Sequence, residues 1–443
     1  MKKRSYGSLA LTLAAAVAMS ACGNNDNNGA SASAGASSKP SSAQTSAKAT
    51  KLVFWTFNEL HQKFLESMAA SWNKANPNEQ IKLEATTFPY DDSHNKLLVS
   101  LQSGKGGPDL ADVEISKVGN YLKGDPQLVP LNDIVEPEKD NLVMSRLENY
   151  AKDGQYYGID YHVGAQVIYY NKEILDQAGV NPDDIVTWDD YETAGKQVLE
   201  KTGKPMTTVE TGDQWTFWPM VVQHGSDFLD KSGNVTLNSA ENVEALAYLQ
   251  KLVKEKIAVP APGGIHHAEE YYGFMNKGGA ASVWMPMWYM GRFTDYMQDL
   301  KGKLVIKPMP VFKQGEMRSS GMGGTGTVIT KQSKNQDLAK KFLAYAKLSK
   351  EGNIEIWKQL GFDPIRSDVW TDPAMQEPNK YTDYFGKDIF TFLSSLKSEI
   401  APTNIGERTP AVSDAVKTKA MFQALSELKD PKQVLDEAAA SIK

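Results

Sequence analysis

The chain has 443 residues, 41% of them hydrophobic and 23% charged, with one cysteine and 48 basic against 54 acidic side chains. That much apolar material exceeds what one core organises, since single cores stop growing at about 250–300 residues. One cysteine excludes a disulfide framework and a cysteine-rich zinc site, and a formal charge of −6 offers no basic field for nucleic acid.

Lys2, Lys3 and Arg4 precede an apolar run over 9–19 that is too short to span a bilayer and ends in Ser20 and Ala21. Residues 1–21 read as an export signal. AMSAC places Cys22 where cleavage leaves it first, and it resembles a bacterial lipobox with Met19 in the usual leucine place. Ordinary cleavage with a free Cys22 thiol is the alternative. Residues 22–50 hold no aromatic or large aliphatic side chain, so they are expected to form a disordered tether. A Gly/Ser-like coil of that length spans on the order of 30 Å.

From Lys51 the pattern alternates. LVFWTF (52–57) is a strand, and Phe64, Leu65, Met68 and Trp72 recur at helical spacing. Ile81, Leu83 and Ala85 alternate as a strand, Leu97, Leu98 and Leu101 form a helical stripe closed by Gly104, and LADVEI (110–115) is a third strand. This order implies a parallel α/β sheet with right-handed crossovers. Further on, Thr187 with Asp190 opens a helix that Gly203 ends, Ser239 opens a stripe of Val243, Leu246, Leu249 and Val253, and Asp430-Pro431 caps the last helix. No 20–50-residue repeat is visible, and two α/β lobes accommodate the folded length.

Ligands of open α/β sheets lie beyond the C-terminal strand ends. The strand ends here carry Trp55 to Glu59, Glu114, and Asp160 to His162, followed by an aromatic-rich set at Trp215, Trp218 and 266–293. A sugar presents C–H faces and a hydroxyl rim, so its sites pair aromatic plates with acids, amides, His or Arg. Trp55 fits a core or a site, Asp160 and His162 fit an internal bond or a ligand contact, and Trp215 and Trp218 fit packing or stacking. Trp284 alternates into the strand ASVWM and reads as core. HHAEE offers His267 and Glu270 to a sugar or to solvent, and its spacing matches no H-E-x-x-H zinc pattern, so no metal is expected. Arg366 either pairs with Asp363 or forks onto hydroxyls. Gly321, Gly323 and Gly326 fit G-x-G-x-x-G, but a strand-like TVIT follows, which points to a backbone approach to a ligand or a tight turn between the lobes rather than a dinucleotide site.

The lipobox, GGPDLADVE, YYGID, TWDDY, MNKGGAASVWMPMWYM and PMPVFKQG with the following GTVITKQSKNQDLAKKFLAYAKLSKEGN together resemble the extracellular solute-binding proteins of ABC importers, family 1. FWTFNELH, KPMTTVET, PAPGGIHHAEEYYGFMN and LGFDPIRSDVW are similar to the arabino-oligosaccharide-binding lipoproteins of Bacillus-type bacteria. The resemblance implies a two-lobed type II periplasmic-binding-protein-like fold, with lobe one at 51–158 plus 312–362, lobe two at 160–307 plus 367–443, and crossings near 158–160, 308–311 and 363–366. It implies a ligand role for Glu114 at its strand end and an aromatic platform at Trp288 and Tyr289; Asn58, beside Trp55 at the end of the first strand, is a candidate on the strand-end reading. It further implies a monomer on the outer face of the membrane that hands an oligosaccharide to permease subunits, without a cofactor and without catalysis. Another oligosaccharide, a sugar-sensing adaptor and a lipid-anchored glycoside hydrolase are the competing readings; the last needs two carboxylates flanking one bond.

The anchor is testable by cell fractionation. Cys22→Ser removes the only thiol in the chain, so the protein is expected to leave the membrane fraction while keeping its ligand affinity. Unchanged membrane retention would refute the acylated cysteine.

Overall fold

Leu52, Phe54 and Thr56 alternate with more exposed neighbours, so β1 (Thr50–Thr56) buries one face. Asn58 then accepts the Leu60 N–H and starts α1 (Glu59–Ala75), whose stripe of Phe64, Leu65, Met68 and Trp72 is buried. β2 (Ile81–Thr87) pairs parallel with β1. α2 (Tyr90–Ser103) ends at Gly104, whose φ of 68° reverses the chain, and β3 (Leu110–Glu114) pairs parallel with β1 on its other side. The computed structural model describes residues 49–442; the expected signal, Cys22 and nearly all of the tether lie outside the described residues.

Two strands from far along the chain complete this sheet, in the order β2, β1, β3, Thr325–Ile329, Gly158–Asp160. Thr325–Ile329 runs antiparallel to both neighbours, with Thr325 opposite Glu114 and Gly326 opposite Asp160. The C-terminal ends of β1, β3 and Gly158–Asp160 therefore share one edge with the start of Thr325–Ile329.

A second sheet sets Gln166–Asn171 between Ser282–Pro286 and Leu304–Lys307. Both pairings are antiparallel, unlike the parallel arrangement expected from the first half; the two outer strands, linked through the helix Met290–Tyr296, run parallel to each other on either side of the central strand. Trp284 is fully buried there, 5.2 Å from Trp188 and 5.8 Å from Tyr191 between ring centres. The helices expected on this side form: Trp188–Thr202 with its Thr187/Asp190 capping box, Ala240–Lys254, and Pro431–Ala440 under the Asp430 cap.

The chain passes between the two sheets at 161–165, at 321–324 and near 362–366. The second passage is not at 308–311, because Val311 donates to Val186 and accepts from Trp188, and Met309 belongs to the core of the second sheet. All three passages are tied together by buried charge. Arg146 donates to Asp160 Oδ2 at 2.8 Å, to Gly321 O at 3.1 Å, and to Gly323 O. Asp160 Oδ1 accepts the N–H groups of Tyr161 and Thr325. Burial alone would raise the Asp160 carboxyl, but Arg146, His162 and Lys347 more than offset it and hold it below the usual carboxylate range. Asp363 supplies the third tie by accepting from Gly164 and Ala165, and burial pushes its carboxyl up to about 7.

Removing one member of a buried ion pair leaves the other uncompensated, at a cost of about 3–5 kcal/mol. Arg146→Ala is therefore expected to lose about that much folding free energy in urea denaturation, whereas Lys82→Ala, an exposed pair with Glu84, is expected to change it by under about 1 kcal/mol.

Candidate functional site

The shared strand edge opens onto a cleft of about 680 Å³, within the range of about 300–1,000 Å³ typical of small-ligand sites. One wall comes from the first sheet and includes Phe57, Asn58, Tyr90 and Glu114. Glu114 sits where β3 ends and accepts from the Tyr90 hydroxyl at 2.9 Å, from Ser116 N at 2.9 Å, and from the Ser116 hydroxyl. Its own N–H donates to His94 Nε2, which fixes the His94 proton on Nδ1, facing Tyr90 O. The Glu114 carboxylate is thus fixed in place before any ligand arrives.

The facing wall carries Asp213, Trp215, His267, Trp288, Arg292 and Lys417. His267 stacks on Trp288, with ring centres 5.4 Å apart and planes 23° from parallel, and Trp215 meets Trp288 edge-on at 5.4 Å. Burial, with Arg292 adding to it, lowers the His267 pKa to about 4, so its ring is neutral at pH 7. One fully buried carboxylate holds the two loops that present these rings: Glu210 accepts from Trp215 N at 2.9 Å and from His266 N at 2.7 Å. Burial pushes the Glu210 carboxyl well above the usual range and the Asp213 charge adds to this, against the pull of the two N–H groups. Burial alone would lower Lys417, but Asp213, Glu114 and Glu210 more than offset it and keep its ammonium charged, 3.3 Å from Asp213. Glu210, Asp213 and His267 bring possible metal-ligand atoms within 4.8 Å of one another; Lys417 already places a cation beside that set.

The floor is largely backbone, made by Gly323, Gly324 and Thr325 with His162 beside them. Gly323 has a φ of 69°, and a Cβ there would come within 2.7 Å of Trp288 Nε1, which donates to Met322 O. The close approach at Gly323 is thus to the Trp288 ring, which it seats. His162 is 5% exposed, with burial lowering its pKa to about 3 and its Nδ1 unpaired.

Of the residues singled out from sequence, Asn58, Glu114, His162, Trp215, His267 and Trp288 line the cleft, and six do not. Trp55 faces the other side of β1, edge-on to Phe88 under the Lys96 ammonium. Asp160 is spent on Arg146. Trp218 is core, stacked on Phe228 with its Nε1 bonded to Asp227. Tyr289 is fully buried, and its hydroxyl donates to His266 O. Glu270 lies exposed in the first turn of Glu269–Asn276. Arg366 pairs with Glu138 at 2.6 Å and with Asp368, not with Asp363. Sequence reasoning missed Tyr90, Asp213, Arg292 and Lys417. Arg292 stood inside the aromatic stretch already noted, whereas Lys417 arrives from a C-terminal helix that carries no local signal.

Residues 58–352 match the family model described as bacterial extracellular solute-binding protein. The chain is 51% identical to the arabinooligosaccharide-binding protein of Bacillus subtilis (strain 168) over 91% of this chain and 94% of that one. It is likewise 51% identical to the protein of the same name from Halalkalibacterium halodurans over 89% of each. The solved GacH receptor of Streptomyces glaucescens, known unliganded and with acarbose, superimposes with a TM-score of 0.72 at 20% identity, covering 89% of this chain and 97% of that one. That likeness carries the fold, which is the two-lobed type II periplasmic-binding-protein-like class.

The tie made by Glu210 yields an expected outcome. Glu210→Ala strands two buried N–H groups at about 1–3 kcal/mol each, so calorimetric melting is expected to show a marked loss of stability. Glu210→Gln retains one acceptor and is expected to lose less.

Proposed function

Because the chain belongs to the bacterial extracellular solute-binding protein family, we propose that it captures short arabino-oligosaccharides between two closing lobes and hands them to the permease of an ABC importer. The observation that carries the reading is the cleft chemistry. An aromatic wall of Trp215, His267 and Trp288 provides faces for sugar C–H groups. Glu114, Asp213, Arg292 and Lys417 provide charged partners for hydroxyls around it. The names borne by the two relatives at 51% identity favour arabinose units over other sugars.

On this reading the first sheet anchors one lobe and the second sheet the other, with the three tied passages as the hinge. A ligand touching both walls binds the closed form better than the open one, and that difference is what a permease can read. The protein works as a monomer on the outer face of the membrane, held through Cys22, and it releases its sugar unaltered. Neutral His267 and His162 act as hydrogen-bond partners rather than cations at pH 7.

Titration calorimetry tests the reading. An α-linked arabinotriose is expected to bind more tightly than arabinose and to be recovered unshortened; equal affinity for the monosaccharide would refute the oligosaccharide assignment. Trp288→Ala removes a stacking face worth about 1–3 kcal/mol, so affinity is expected to fall about 5–150-fold. The sugar-free melting temperature should fall far less than for a core tryptophan, whose loss costs about 3–5 kcal/mol.

A further inference from the structure

The aromatic surface does not stop at the cleft. The helix Met290–Tyr296 begins directly after Tyr289, and three of its residues, Gly291, Arg292 and Asp295, line the cleft. Tyr296 follows Arg292 by four residues, which places it on the same helical face one turn further out. It is 51% exposed. Its inner face is taken by Tyr272, with ring centres 4.7 Å apart and planes only 7° from parallel. Tyr272 itself is 7% exposed and stands on the helix Glu269–Asn276. The two segments are locked to each other, since Asn276 Nδ2 donates to Asp299 at 2.8 Å and Asp299 N donates to Asn276 Oδ1 at 2.9 Å. The outer plate therefore has a fixed plane and one face toward solvent. On the same helix Asp295 pairs with Lys380 at 3.0 Å, the two side chains 36% and 44% exposed, so both keep polar atoms accessible.

A flat ring, pre-set by a stacked neighbour on a helix that also carries an accessible carboxylate–ammonium pair, offers the same chemistry as the cleft: an apolar face for C–H groups and charged partners for hydroxyls. An exposed ring with both faces in water would lose rotamer freedom on binding; Tyr296 has already lost it to Tyr272. We propose that Tyr296 is an outer carbohydrate subsite, continuous with the cleft through Arg292 and Asp295, that receives sugar units of an oligosaccharide too long for the cleft to enclose. The proposal rests on the carbohydrate reading given above and adds a length preference to it. Asp295 and Lys380 serve the hydroxyls of the outer unit, and the inner units remain with Trp215 and Trp288.

The test is a calorimetric length series of α-linked arabino-oligosaccharides, from disaccharide to octasaccharide, on the wild-type chain, Tyr296→Ala and Tyr296→Phe. Wild-type affinity is expected to keep rising with length beyond the cleft-filling oligomer. Tyr296→Ala is expected to abolish that late rise, with a loss of about five- to tenfold for the long members, the low end of base–aromatic stacking, and none for the short ones. Tyr296→Phe is expected to retain the rise, because the face and not the hydroxyl carries it. Tyr296→Ala behaving as wild type at every length, or weakening all lengths alike, would overturn the subsite and leave the carbohydrate reading standing. Failure of the wild-type chain to bind any member would overturn both. Melting curves of the sugar-free variants, in which Tyr296→Ala is expected to show only the small loss of its stacking on Tyr272 and a cooperative transition like that of wild type, exclude misfolding as the cause of a loss.

Discussion

The ion pair of Arg146 with Asp160 is the contact on which the rest of the molecule depends. Three chain segments must cross between two sheets, and a crossing segment has no ladder to bond its carbonyls. Buried polar groups that stay unbonded are expensive. One guanidinium answers Gly321 O and Gly323 O while it neutralises the carboxylate that gathers Tyr161 N and Thr325 N. A second buried network lies beneath it. Asp112 accepts from Thr56, Thr327 and His61, and Lys347 donates to Thr327 and to Ile159 O across the face of Tyr161. Any rotation of one sheet against the other pivots where these bonds hold the chain.

The cleft divides its labour accordingly. Its floor is mostly main chain, because the crossing glycines pass too close to Trp288 and Arg146 for side chains. Side chains are left to the walls, and each wall is braced from behind: Tyr90 and Ser116 on Glu114, Glu210 on the loops of Trp215 and His267. Preorganisation of this kind reduces the ordering cost of binding.

Local periodicity made most of the elements legible. Alternation revealed β1, β2 and β3, helical stripes revealed α1 and α2, and capping chemistry marked Thr187, Gly203 and Asp430 where the structure uses them. The strand-end rule found Asn58, Glu114 and His162. What it could not supply was orientation. Trp288 and Tyr289 are adjacent and chemically alike, yet one faces the cleft and the other the core, because the short helical turn Met287–Tyr289 rotates them apart. Arg366 and Asp363 looked like partners by proximity in sequence, but the passage they share turns Asp363 toward Gly164 and Arg366 toward Glu138. The antiparallel second sheet was likewise hidden, since its strands meet only after long excursions of the chain.

Lys417 lies some 300 residues beyond Glu114, yet both line one cleft, and the lysine ammonium stands beside Asp213. A ribosome delivers these groups in that order, so Glu114, Asp213 and the aromatic wall exist as chain long before the lysine that pairs with Asp213. Contacts of such sequence separation form late and slow the search for the native state. A chain that stops short of residue 417 accordingly leaves Asp213 without its ammonium partner, and that wall of the cleft acquires its last charged pair only late in folding.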